Sequence, residues 1–450
     1  MKIHFIAIGG SAMHSLAIAL KQKSYEISGS DDAIFEPSKS RLKKYDIFPD
    51  HIGWSEDHIS EDLDAVILGM HAKEDNPELI KARKLGLKIY SYPEFLYEQA
   101  KHKTRVVIGG SHGKTSITSM ILHVMNYHDK EVDYMVGAAL AGLDNPVHLT
   151  EENDFIVIEG DEYLSSAIDP RPKFHLYQPN IALLSGIAWD HINVFPTYEK
   201  YVEQFKIFID SIVNGGILVY NEEDSAVKKL AENTENPIRK HPYQTPEYHL
   251  EENHTILDVP EGELPLEIFG KHNLNNLAGA KWICQHMGVD EDDFYEAIAT
   301  FKGASKRLEK VAETSSSVIF KDFAHSPSKV SATTAAVKEQ YSNKKLIACL
   351  ELYTYSSLNA EFLKEYKNSL EKADVALVFY SPDAVAIKKL EAVSEEQIKE
   401  AFQKENLKVF TTSEEFKAEL ADIDLNNAVL LLMSSGNYGG LEMEELKKMI

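Results

Sequence analysis

The run Arg105-Val106-Val107-Ile108-Gly109-Gly110-Ser111-His112-Gly113-Lys114-Thr115 constrains the fold of this chain more than any other feature. Arg105–Ile108 reads as a short buried strand, the glycines as a tight turn, and Thr115–His128 as an amphipathic helix. A strand that feeds a helix through such a turn is half of a parallel β-α-β unit. Backbone N–H groups of the turn converge on phosphate oxygens, Lys114 reaches the β- and γ-phosphates, and the Thr115 hydroxyl is placed to ligate magnesium. The spacing is G-x-x-G-K-T. Ile108 stands where the commoner G-x-x-x-x-G-K-[ST] has its first glycine, so the flanking strand and helix carry the reading. Gly110, Ser111, His112, Gly113, Lys114, Thr115 and Ser116 thus form a candidate ATP-phosphate loop.

A chain of 450 residues is too long for one ordinary core, and three blocks of alternating strand and helix follow from its pattern. Residues 1–103 hold strand candidates Ile3–Ile8, Tyr25–Ser28, Ala65–Gly69 and Lys88–Tyr90, which predicts a small parallel sheet with crossover helices. Residues 104–312 add Phe155–Ile158, Ile181–Leu184 and Ile217–Tyr220, an irregular stretch from about Pro237 to Pro265, and helices Asn275–His286 and Asp292–Thr300. Residues 313–450 add Val318–Phe320, Leu346–Leu350, Val375–Phe379 and Val429–Met433.

The formal charge of −24 repels phosphate backbones and anionic lipid, which argues against nucleic-acid or membrane partners but permits a small anion in a basic pocket. Two distant cysteines, Cys284 and Cys349, suit a reducing compartment. The apolar opening Met1–Ile8 is too short to span a membrane and is cut by glycines, so a cytoplasmic protein is expected.

Ile3–Ile8 runs into Gly9-Gly10-Ser11-Ala12-Met13 and a helical stretch, Ser15–Lys23. That is a nucleotide-type turn facing a helix N-terminus, although Ala7 and Ala12 stand at two positions of G-x-G-x-x-G. Asp31-Asp32 lies at about the spacing of a ribose-binding acid, roughly 20 residues on. A nicotinamide-binding oxidoreductase is one reading of this loop, but it leaves the second loop unexplained. Phe155–Ile158 ends in Glu159-Gly160-Asp161-Glu162, and Ile181–Ile187 leads to Trp189-Asp190-His191. If both strands run parallel to Arg105–Ile108, Glu159 and His191 face the phosphate loop, where magnesium needs ligands. Asp161 and Glu162 read equally well as a solvated turn. Gly270–Asn276 opens a helix whose amides could read a base edge or merely cap it. Arg307 could bridge phosphates and Asp322 hold a ribose, or each could sit in a surface ion pair.

Taken in order, these motifs resemble the Mur ligases, the ATP-dependent amide-forming enzymes of peptidoglycan synthesis, over essentially the whole chain. The resemblance rests on Gly9–Met13 with Ser28-Gly29-Ser30-Asp31, Gly110–Ser116, Glu159–Glu162, Asp190-His191, Gly270–Asn276, Arg307-Leu308-Glu309 and Asp322–Pro327. It implies three α/β domains: a Rossmann-like first domain for UDP, a central P-loop-type domain for ATP, and a Rossmann-like third. It further implies that Gly9, Gly10, Ser11, Ala12, Met13, Ser30 and Asp31 serve the UDP-substrate. Thr115, Glu159 and His191 would hold Mg2+, with Lys114 and His191 in the catalytic set. Asn273 and Asn276 would contact adenine, Arg307 the phosphates and Asp322 the ribose. Lys206, fifteen residues after His191, falls where several members carry a carbamylated lysine that bridges metals; a plain surface lysine is the alternative.

Two branches of the family share a first domain of this kind, and the substrates implied are UDP-N-acetylmuramate and an amine. One branch adds L-alanine. The other, a recycling branch, adds the tripeptide L-alanyl-γ-D-glutamyl-meso-diaminopimelate. Asp161-Glu162-Tyr163, Asp169–Phe174 and Met433–Gly440 look like the recycling branch. Lys321 replaces a frequent aspartate, Ser326 a frequent histidine, and Glu351–Ser356 an arginine-bearing segment. A monomer or homodimer is expected.

Overall fold

Each apolar run bounded by glycine or a polar turn becomes a buried strand, and each amphipathic stretch returns over the sheet as a helix. A computed structural model describes residues 1–137, 142–252 and 254–450. In the first block β1 (Lys2–Ile6), β2 (Glu26–Ser30), β3 (Ala65–Leu68) and β4 (Ile89–Ser91) form an all-parallel sheet of order β2-β1-β3-β4. Helix Ser11–Gln22 starts four residues earlier than its apolar periodicity suggests, because Ser11 directly follows the glycine turn.

The central sheet contains β5 (Thr104–Gly109), β6 (Asp133–Met135), β7 (Val147–His148), β8 (Phe155–Glu159), β9 (Ile181–Leu184), β10 (Ile217–Asn221) and β11 (Arg239–Tyr243). Its order is β11-β10-β9-β5-β8-β6-β7, and only β7 is antiparallel. Helix Lys114–Tyr127 is not amphipathic as expected. Ten of its residues are buried, because helices Lys271–His286 and Glu291–Ile298 cover the side that the sheet leaves open.

The stretch expected to be irregular is mostly strand. It supplies β11 and a three-stranded antiparallel sheet of β12 (Tyr248–Glu251), β13 (His254–Val259) and β14 (Gly262–Leu266). Its prolines mislead because both Pro242 and Pro265 lie on edge strands, where a missing N–H costs no ladder bond.

The third sheet has β15 (Glu309–Glu313), β16 (Val318–Asp322), β17 (Lys345–Leu352), β18 (Val375–Tyr380), β19 (Lys408–Phe410) and β20 (Ala428–Met433) in the order β15-β16-β20-β17-β18-β19. All but β15 are parallel. The boundary expected at residue 313 therefore falls on the last residue of a strand that pairs into this sheet.

A buried polar group pins the first sheet to its helix Pro77–Lys84. Glu78, fully buried, accepts from Ser55 N at 2.9 Å, from the Ser30 hydroxyl, and from His58 Nδ1 at 2.8 Å, with His4 Nε2 at 3.3 Å. Burial would raise its carboxyl, but the donors outweigh that and hold it below the ordinary value.

Candidate active site

Because β9, β5 and β8 are adjacent and parallel, their carboxyl ends open on one edge, and the segments that follow them meet there. The loop after β5 turns through Gly110 (φ 136°) and Gly113 (φ 79°), values that only glycine adopts without strain. A Cβ on Gly113 would also collide with Asn276 Oδ1. Lys114 Nζ folds back to donate to Gly110 O at 2.5 Å and to Glu162 Oε2 at 2.5 Å.

Burial alone would lower the Lys114 ammonium; Glu162, Asp161 and Glu159 outweigh it and raise it instead. Burial would likewise raise Glu162, yet Lys114 and His191 hold it far below the usual carboxylate range. The Tyr201 hydroxyl donates to Glu162 Oε1 at 3.1 Å and lies 3.0 Å from Ser111 Oγ, which accepts from Ala188 N at 2.9 Å. Thus Glu162, which from sequence suits a site role and a solvated turn equally, is 2% exposed and organises the site.

At the end of β8, Glu159 accepts from the Thr115 hydroxyl at 2.9 Å and from Gly137 N at 2.9 Å. Two hard oxygens at that separation match neighbouring vertices of an octahedron of radius about 2.0–2.1 Å, the geometry of Mg2+. His191 (φ 54°) instead faces Glu162, with Nε2 3.7 Å from Oε1. Burial lowers the imidazole, but Glu162, Asp190 and Asp161 raise it above its ordinary value. Of the expected set, Thr115 and Glu159 thus lie against each other, and His191 lies beside a different acid.

A cavity of about 720 Å³ extends from the phosphate loop between the central and third sheets. Asn273, Asn276, Arg307 and Asp322 all line it, with Ser111–Ser116 at its floor. Arg307 donates to Thr115 Oγ1 at 3.3 Å and stacks on Phe323 with its guanidinium carbon 4.7 Å from the ring centroid. Asp322 ends β16 and accepts from Thr333 Oγ1 at 2.6 Å and from Leu308 N at 3.2 Å. Asn273 turns its amide to Phe269 O at 2.9 Å. Asn275, which sequence reasoning passed over, also lines the cavity and donates to Glu223 Oε2 at 3.2 Å. Lys329, likewise missed, enters from the first turn of helix Pro327–Gln340.

Lys206 is a correction. It is exposed on helix Tyr198–Asp210 and donates to Asp210 Oδ2 at 2.8 Å, so the structure does not bring it to the cavity. The buried face of that helix is Tyr201, Phe205, Phe208 and Ile209, which leaves position 206 outside.

The first glycine loop lies at the carboxyl edge of its own sheet. Asp31 turns back to accept from Gly9 N through Oδ2 at 2.7 Å and is 1% exposed, so it buttresses the loop from within. Met13 and Ser30 are buried, the latter on Glu78, while Ser11 and Ala12 face solvent and Gly9 and Gly10 are half-buried.

Three family profiles match consecutive parts of the chain: "Mur ligase family, catalytic domain" over residues 2–104, "Mur ligase middle domain" over 108–284, and "Mur ligase, glutamate ligase domain" over 306–436. A UDP-N-acetylmuramate–L-alanine ligase of Sulfurihydrogenibium sp. is 30% identical over 97% of this chain and 95% of its own. Among solved structures, the UDP-N-acetylmuramate-alanine ligase of Thermotoga maritima superposes with a TM-score of 0.70 at 21% identity. A murein peptide ligase of Psychrobacter arcticus superposes with 0.67 at 20%. Each pairing covers 100% of this chain and 98% of the other. No helix among the described residues is long and apolar enough to cross a membrane. The chain belongs to the Mur ligase family, and it is an ATP- and Mg2+-dependent ligase that forms C–N bonds.

Proposed function

We propose that this ligase joins UDP-N-acetylmuramate to L-alanyl-γ-D-glutamyl-meso-diaminopimelate in the cytoplasm, through an acyl phosphate. The acceptor carboxylate attacks the γ-phosphorus, a new O–P bond forms, and the bond to ADP breaks. The amine, having lost a proton, then attacks the acyl carbon and phosphate leaves. A free carboxylate is a poor acyl donor, so the first step supplies the leaving group.

Lys114 and Arg307 offset the charge that spreads over the moving phosphoryl group. Thr115 and Glu159 would hold Mg2+, which would supply charge neutralisation to the phosphates. Glu162 orients Lys114 and His191 from behind. Asn273 and Asn276 take the base and Asp322 the ribose.

The observation that carries the acceptor is the loop from Tyr163 to Phe174. Arg171 reaches Glu94 of the first block at 3.0 Å, Ile168 packs on the core beneath β3, and the Tyr163 ring lies 5.0 Å from His191. The loop thus ties the first block to the Glu162–His191 group, which supports a UDP-linked carboxylate reaching the phosphate loop from that side. For the amine, that loop's recycling-type sequence favours the tripeptide, while Glu351–Ser356, in place of an arginine-bearing segment, departs from both branches.

The second reading, L-alanine, is favoured by relatives that carry that activity at 30% identity. Phosphate release with ATP, UDP-N-acetylmuramate and each amine in turn separates the two. Turnover with tripeptide supports the proposal, and turnover with L-alanine alone replaces it with the second reading.

A further inference from the structure

Four lysine and arginine side chains line the cavity, and three of them are already engaged. Lys114 is held by Glu162, Arg307 donates to Thr115, and Lys271 Nζ lies 3.4 Å from Glu223 Oε1. Lys329 is the exception: among the described residues no hydrogen bond or ion pair reaches its ammonium.

Its place is also electrostatically poor for a lone cation. It is the third residue of helix Pro327–Gln340, where the helix dipole is positive and no side chain caps the free N–H groups. Lys114 and Arg307 add like charge from across the cavity, and Asp190 and Glu162 oppose it without closing to an ion pair. A half-buried ammonium in that setting lacks an anion.

We propose that Lys329 is a catalytic residue that binds the γ-phosphoryl group of ATP, opposite Lys114, and stays on it as it passes to the acceptor carboxylate. Helix Pro327–Gln340 belongs to the third block and Lys114 to the central one, so the two ammonium groups grip the phosphoryl from separate domains. Burial lowers the Lys329 ammonium, which accords with a group that regains its charge stabilisation only when an anion is present. The proposal rests on the nucleotide lying in this cavity.

The test compares K329M with the natural protein by calorimetric titration of ADP and of a non-hydrolysable ATP analogue, with phosphate release and thermal melting alongside. ADP affinity should stay within about threefold, analogue affinity should fall about tenfold or more, and turnover should fall roughly a hundredfold or more. The melting temperature should hold or rise, because an unpaired cation is removed.

An unchanged ratio of analogue to ADP affinity, with turnover retained, overturns the role. So does a fall in melting temperature that leaves that ratio unmoved, since a structural lysine behaves that way. K329R should keep part of the analogue preference, and K329Q takes the same measurements if K329M does not fold. Failure of the natural protein to bind either nucleotide would overturn the cavity reading itself, a result distinct from failure of the lysine.

Discussion

Lys114 donates to Glu162 across 2.5 Å in the floor of the cavity, so the ammonium of the phosphate loop is aimed by a carboxylate 48 residues away in sequence. The pair separates two contributions that single variants confuse. Lys114→Ala leaves the buried Glu162 carboxylate with only Tyr201 and His191 beside it, which should cost about 1–3 kcal/mol in folding free energy. The double variant Lys114→Ala with Glu162→Gln should recover most of that loss in urea denaturation. Its phosphate release should stay at least about a hundredfold below the natural protein. Recovered turnover would show that the lysine only balances the acid.

Gly113→Ala places a methyl against Asn276 Oδ1 at φ 79°. The strain should cost about 1 kcal/mol or more, and nucleotide affinity should fall at least about tenfold as the loop shifts. Titration with ADP reads this directly, and unchanged affinity would mean the loop tolerates the displacement.

Lys206→Ala should leave turnover within about twofold and stability within about 0.5 kcal/mol, as for any exposed surface site. A loss of activity beyond tenfold would return Lys206 to the metal-bridging role implied by resemblance.

The contrast between these sites shows what sequence can carry. The phosphate loop is legible because strand, turn and helix are contiguous and glycine has a local reason at each bend. Lys206 misleads because a fifteen-residue spacing carries no information about which helix face a side chain occupies, whereas Tyr201, Phe205, Phe208 and Ile209 do define that face. Glu162 and Lys329 are opaque for another reason. Glu162 matters through Lys114 and His191, and Lys329 through the cavity it enters, and in both cases the groups faced are distant in sequence. The three-block pattern survives well, but edge strands with prolines, such as β11 and β14, do not announce themselves.

The Glu78 group gives a pH prediction. Its carboxyl is depressed below 4.5, so it binds its proton less readily folded than unfolded. The stability it contributes is full above the unfolded value near 4.5 and is lost as pH falls through the lower folded value. Glu78→Gln should therefore cost about 1–3 kcal/mol at pH 7 in urea denaturation. The gap between variant and natural protein should shrink as pH drops below 4.5. A gap that widens on acidification would mean the acid is buried neutral.

Strand order in the third sheet sets a condition on when the chain first becomes competent. β20, the twentieth strand in order, lies between β16 and β17, and Ser434 N just beyond it donates to Asp322 O. Asp322 and the helix bearing Lys329 are thus anchored by a strand synthesised about a hundred residues after them. While the polypeptide is still emerging from the ribosome, the central sheet can already form its loop around Lys114, but the opposite wall has no keystone. Nucleotide capture for this reason waits on the emergence of Ala428–Met433, and a protein truncated before Ala428 should fold its first two sheets yet leave ATP without its second wall.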